Sequence, residues 1–102
     1  MHLIQILLPL RDNEDRAYPR AIFDMLRESL TRRFGGVTAF TRSPAQGAWM
    51  EDDRSVNHDD VVVMEVMALQ LDRVWWAEWR CRLEREMGQK EIVVRATRIE
   101  RL

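Results

Sequence analysis

A single α+β domain in the order β-α-β-β-α-β is what the sequence predicts, and three observations carry it. Four short runs, near residues 3–10, 37–42, 61–69 and 92–99, are rich in apolar and β-branched residues. Two stretches between them repeat apolar residues at helical spacing. A length of 102 residues suffices for one core between a sheet and two helices, so residues 1–102 are read as one domain.

In the first run only Gln5 interrupts Leu3 to Leu10, the pattern of a central strand covered on both faces. Pro9 has no N–H for a ladder, so pairing should end beside it. A charged loop from Arg11 to Arg16 follows, and Pro19 suits the start of a helix. Ile22, Leu26, Leu30 and Phe34 form its apolar stripe, with Arg20, Asp24, Arg27, Glu28 and Arg32 on the wet side and Glu28–Arg32 as an i,i+4 pair. Gly35-Gly36 should close it, because glycine takes the left-handed conformation without steric cost.

The second strand is expected over residues 37–42, ending in the turn Ser43-Pro44-Ala-Gln-Gly47. Ala48-Trp49-Met50 is read as a return to extended structure, and 51–60 as a long polar loop, with a short edge strand inside it as the alternative. Residues 61–69 make the clearest strand, broken only by Glu65. Asp72 is placed to cap the second helix, with Leu71 and Trp76 as a hydrophobic staple. Trp76, Trp79, Leu83 and Met87 form its buried stripe, while Glu78–Arg82 and Arg82–Glu86 are expected as surface pairs. Gly88 ends it, and the last strand carries Arg95 and Arg98.

Composition narrows the classes of partner. Charged residues make up 32% of the chain but the net charge is -1, which leaves no global field for nucleic acid or anionic membrane. Fifteen of the sixteen basic residues are arginine, spread over all elements, a distribution read as codon bias rather than as a guanidinium surface. Cys81 is the sole cysteine, so no intrachain disulfide forms. Residues 2–10 are too short for a membrane span and lack a cleavage site after them. A cytoplasmic protein is the expectation.

Two strand–helix–strand crossovers joined by a central hairpin define the ferredoxin-like arrangement: a four-stranded antiparallel sheet with both helices on one face. Period-two alternation then sorts the side chains. Ile4, Ile6 and Leu8 share one side of the first strand, and Leu3, Gln5 and Leu7 the other. In the third strand the division is Val62, Met64, Val66 against Val61, Val63, Glu65, Met67. One side takes the helices. The other is still mostly apolar, and such a face is larger than a soluble monomer ordinarily exposes. A second copy of the chain would cover it, giving a homodimer. The alternative is a monomer in which Arg95 and the 51–60 loop fold over the face.

Glu65 is the most informative polar residue, since an unpaired carboxylate in an apolar strand is costly. Gln5 and Arg95 lie on neighbouring strands, and the three together with Trp49 form the candidate ligand site, a small polar cluster among apolar walls. A purely structural ion pair or interface hydrogen bond is the competing reading. Trp75, Trp76 and Trp79 invite comparison with an aromatic cage, but their spacing favours core packing, with Trp75 alone on the flank. Glu51, Asp52, His58 and Asp59 could gather a divalent metal, although their spacing fits no standard ligand set and a solvated acidic loop accounts for them. His2 carries little weight, and Cys81 has no nearby base in sequence.

Several chemistries lack their signatures. The central strands hold no aromatics on which bases could stack, and there is no paired-cysteine metal loop, glycine-rich phosphate loop or Ser–His–Asp motif, so no cofactor is expected.

The segment Gly35-Gly-Val-Thr-Ala-Phe40, then Gly47-Ala-Trp49 and the strand around Val62 to Val66, resembles small bacterial families of unknown function, over about a third of the chain. The resemblance implies a ferredoxin-like domain and brings no established activity. The wider dimeric α+β barrel group is similar in element order and includes small monooxygenases, haem-degrading enzymes and isomerase-like proteins. Their Asn–Trp–His constellations are not matched here, so an activity would rest on fold alone. The expectation is a small-molecule-binding homodimer, with a non-catalytic interaction module as the alternative.

Overall fold

The computed structural model describes residues 1–42 and 61–102. Its elements run β1 (His2–Pro9), α1 (Arg20–Phe34), β2 (Thr38–Arg42), β3 (Val61–Ala68), α2 (Arg73–Met87) and β4 (Val93–Arg98). The strands form one antiparallel sheet in the order β2-β3-β1-β4, which is the ferredoxin-like α+β fold. The readings of 43–60, with its turn, extended segment and polar loop, lie outside the described residues.

β1 is the axis of the sheet. It pairs with β3 along its full length, from His2 opposite Ala68 to Pro9 opposite Val61, and with β4 from His2 opposite Arg98 to Leu7 opposite Val93. Pairing stops at Pro9, as its missing N–H requires. Alternation places Ile4, Ile6 and Leu8 on the helix side, all at most 1% exposed, with Met64 and Val66 of β3 beside them. Each such side chain contributes about 1.5–3 kcal/mol by leaving water.

The helices cover this face with Phe23 and Leu30 from α1 and Trp76, Trp79, Leu83 and Met87 from α2. The α2 stripe is as expected. On α1 the stripe differs: Phe23 is buried, whereas Ile22, Leu26 and Phe34 are only partly so. Residues repeating every four positions advance by about 40° per step on a helix of 3.6 residues per turn, so the ends of such a row rotate away from the sheet. Phe23 and Leu30, seven apart, stay closer to one line.

Helix termini follow the sequence. Asp72 accepts the Trp75 N–H at 3.0 Å, and Gly35 and Gly88 adopt positive φ values of 85° and 67° that close α1 and α2. Glu28–Arg32 forms its i,i+4 pair. The expected pairs along Glu78, Arg82 and Glu86 do not form; the α2 pair is Arg80–Glu84 at 2.8 Å. Glu84 has a second donor, the Ile92 N–H at 2.8 Å, which joins α2 to the start of β4 and draws this carboxylate off the solvent row. At the other end of the core, the Tyr18 hydroxyl donates to the Met87 carbonyl at 2.6 Å and accepts from Gln89 at 2.7 Å. No helix among the described residues is long and apolar enough to cross a membrane.

Two stability measurements check these tethers. Tyr18→Phe removes both hydroxyl bonds and should cost about 1 kcal/mol in denaturant unfolding. Glu84 is held below the ordinary carboxylate range, chiefly by the Ile92 N–H and then by Arg80, against the opposing push of burial. Because its folded value lies below the unfolded one, its stabilisation is complete above the ordinary glutamate range and is lost as pH falls through the folded value. Wild type should therefore melt above Glu84→Gln at neutral pH, and the difference should shrink on acidification.

Candidate functional site

The face of the sheet away from the helices is built of cross-strand rows. One row runs Phe40, Val63, Leu7, Val93; the next runs Thr38, Glu65, Gln5, Arg95; Leu3 lies between Met67 and Thr97 in the third. Apolar rows thus flank a polar one. Phe40, Met67 and Val93 are each more than two-fifths exposed, so three large apolar side chains of this face meet solvent in the single chain. Val63 differs, at 1% exposure, with Leu7 and Phe40 as its register partners.

The polar row is hydrogen-bonded in one direction. Arg95 donates through Nε to Gln5 Oε1 at 2.8 Å, and Gln5 donates through Nε2 to Glu65 Oε2 at 2.7 Å. The amide suits the middle position, since it alone of the three both accepts and donates. Glu65 is half-buried, Gln5 likewise, and Arg95 exposed, so the row grades from the sheet centre to the β4 edge. The Glu65 carboxylate is therefore linked to the Arg95 guanidinium through the amide. Register explains the arrangement: Gln5 is opposite Glu65 on one side and Arg95 on the other. Thr38 completes the row opposite Glu65, a position no pattern in the sequence marked.

Three of the four candidate residues are thus brought together, and Trp49 lies outside the described residues. So do Glu51, Asp52, His58 and Asp59, the residues of the metal reading; among the described residues no group of three His, Cys, Asp or Glu gathers. Cys81 is exposed and unbridged.

The tryptophans pack with Phe34 instead of forming an open cage. Trp76 stacks on Phe34 at 5.3 Å between centroids and meets Trp79 edge-on at the same distance. Trp75 is stacked toward Trp79 at 6.2 Å and carries the Arg33 guanidinium 4.0 Å above its ring. The chain's own cation therefore takes the ring face that a cationic ligand would use.

Relay of charge through Gln5 has a direct test. A double-mutant cycle on Glu65→Ala and Arg95→Ala should give a coupling of about 0.5–1 kcal/mol with Gln5 present and none in a Gln5→Leu background. Equal coupling in both backgrounds would mean the two charges interact without the amide. Comparisons of the chain with family models, with curated proteins and with solved structures find no match, so the role of this face has to be read from its own chemistry.

Proposed function

We propose that the chain is a small-molecule-binding protein that works as a homodimer, its sheet faces turned toward each other around the Glu65–Gln5–Arg95 row. The supporting observation is that row itself: a half-buried carboxylate held between apolar rows whose Phe40, Met67 and Val93 are left to solvent in one chain. Covering these side chains favours association, while the carboxylate, amide and guanidinium supply the few oriented polar groups that a ligand pocket uses. The assembly is taken to act in the cytoplasm, where a lone exposed thiol such as Cys81 stays reduced.

A second reading has its own support. Gln5 already bridges its two neighbours, and a row satisfied internally suits an interface that sets register without binding a ligand. The protein would then be a non-catalytic interaction module.

Sedimentation separates both from a monomer. The wild type should show a concentration-dependent dimer, and Phe40→Glu with Met67→Glu should abolish it while the far-UV spectrum is kept; a monomer at every concentration would remove the dimer. Thermal shift against a metabolite panel then divides the two readings. Stabilisation that disappears in Gln5→Leu supports a ligand site. No stabilising compound, together with a more stable Glu65→Gln, Arg95→Met variant, would leave the interaction module.

A further inference from the structure

On the helix side, the cover over the sheet thins toward β4. Val94 is partly buried and Ala96 is exposed, although both stand on the face that holds Ile4 and Ile6 in the core. A cavity of about 220 Å³ opens there between β4 and α2, floored by Ile4, Trp76, Val94 and Ala96 and bordered by Arg73, Arg80 and Arg95. Among the described residues no acidic side chain lines it.

The charges around this groove are unevenly matched. Arg80 is paired with Glu84. Arg73 and Arg98 make no hydrogen bond or ion pair among the described residues, and Asp72 is turned to its own helix, accepting the Trp75 N–H. His2 stands opposite Arg98 in the ladder, on the same face as Ile4, and its Nδ1 is buried without a partner among the described residues. Desolvation, then the chain's amino group, Arg98 and Arg73 hold its imidazole below the ordinary histidine range. Arg73 thus borders this apolar groove, and His2 and Arg98 form the next cross-strand row on the same face beyond Ile4 and Ala96, with no acidic lining among the described residues, which is the complement of an anion carrying an apolar tail.

We propose that this groove binds a small organic carboxylate, its apolar body over Trp76 and Ala96 and its carboxylate between Arg73 and Arg98, beside His2. The size limits the guest: the volume lies below the range of about 300–1,000 Å³ usual for drug-sized ligands, so a short aliphatic or aromatic acid fits and a nucleotide does not. Arg95 borders this groove as well as ending the polar row of the opposite face, whereas Gln5 and Glu65 do not line it, so the Gln5→Leu test of that row and the Arg73, Arg98 test of this groove read different residues.

Hexanoate is the probe, followed by NMR of the Trp76 indole and the His2 imidazole in a His58→Gln background that leaves one histidine. Saturable shifts at both groups are expected. Hexanoate should also raise the His2 titration midpoint, because an adjacent anion stabilises the imidazolium. Arg73→Gln with Arg98→Gln, both at exposed positions, should weaken binding at least about tenfold, in keeping with the loss of charge-assisted hydrogen bonds. Ala96→Phe should block the groove and abolish the Trp76 shift. Absence of saturable shifts overturns the proposal. So does unchanged affinity in the double arginine variant, or equal binding of 1-hexanol, which would make the carboxylate irrelevant. Inorganic phosphate binding as well as hexanoate would overturn it from the other side, leaving a site for free anions that makes no use of the apolar floor.

Discussion

Burial of the helix-side face of β1 is the constraint on which the other elements depend. Ile4, Ile6 and Leu8 are almost wholly removed from water, and both neighbouring strands take their register from this one segment. A slip of one residue would turn these three side chains outward and bring Leu3, Gln5 and Leu7 under the helices. Gln5 would then have to be desolvated beneath tryptophans. The same alternation that secures the core therefore obliges Gln5 to face the other way, between Glu65 and Arg95.

From that constraint follows the character of the second face. β1 and β3 are apolar on both sides because they are central, yet only one side meets the helices. A polar row through such a surface has two physical effects. It gives each central strand one directional contact where the apolar rows give none, and it holds a carboxylate and a guanidinium at fixed positions in partly dry surroundings. Mutual pairing lowers the cost of keeping Glu65 half-buried, so the fold tolerates a charged group that a lone carboxylate would make expensive.

Coverage falls off laterally as well as between faces. The core cluster joins α1 and α2 to β1 and β3, whereas β4 is mostly exposed. Glu84 ties the start of β4 back to α2 through the Ile92 N–H, and Ile92 itself is buried at 2% exposure. Beyond that anchor, β4 runs along the rim with small or basic side chains toward α2. The groove there is a consequence of Ala96 standing where a larger residue would close the sheet against the helix.

Element order, the two faces of β1 and β3, the α2 stripe, the Asp72 cap and both glycine termini were legible in the residues, because each follows from periodicity or from local backbone chemistry. Glu65 was recognisable as needing partners for the same reason, and the strand order of this topology put Gln5 and Arg95 on adjoining strands. Other features were decided only by tertiary packing. Phe23 replaced Ile22 at the centre of the α1 contact because the crossing of helix and sheet, which no local rule specifies, selects the line of contact. Arg80–Glu84 prevailed over Glu78–Arg82 and Arg82–Glu86 since the Ile92 N–H, eight residues away, fixes Glu84 in place. The direction of the Arg95–Gln5–Glu65 row and the placing of His2 opposite Arg98 depend on register between distant segments. Sequence by itself determined which residues must be inside or paired; only the assembled sheet decided with whom, because partners far apart in the chain become neighbours through register and packing.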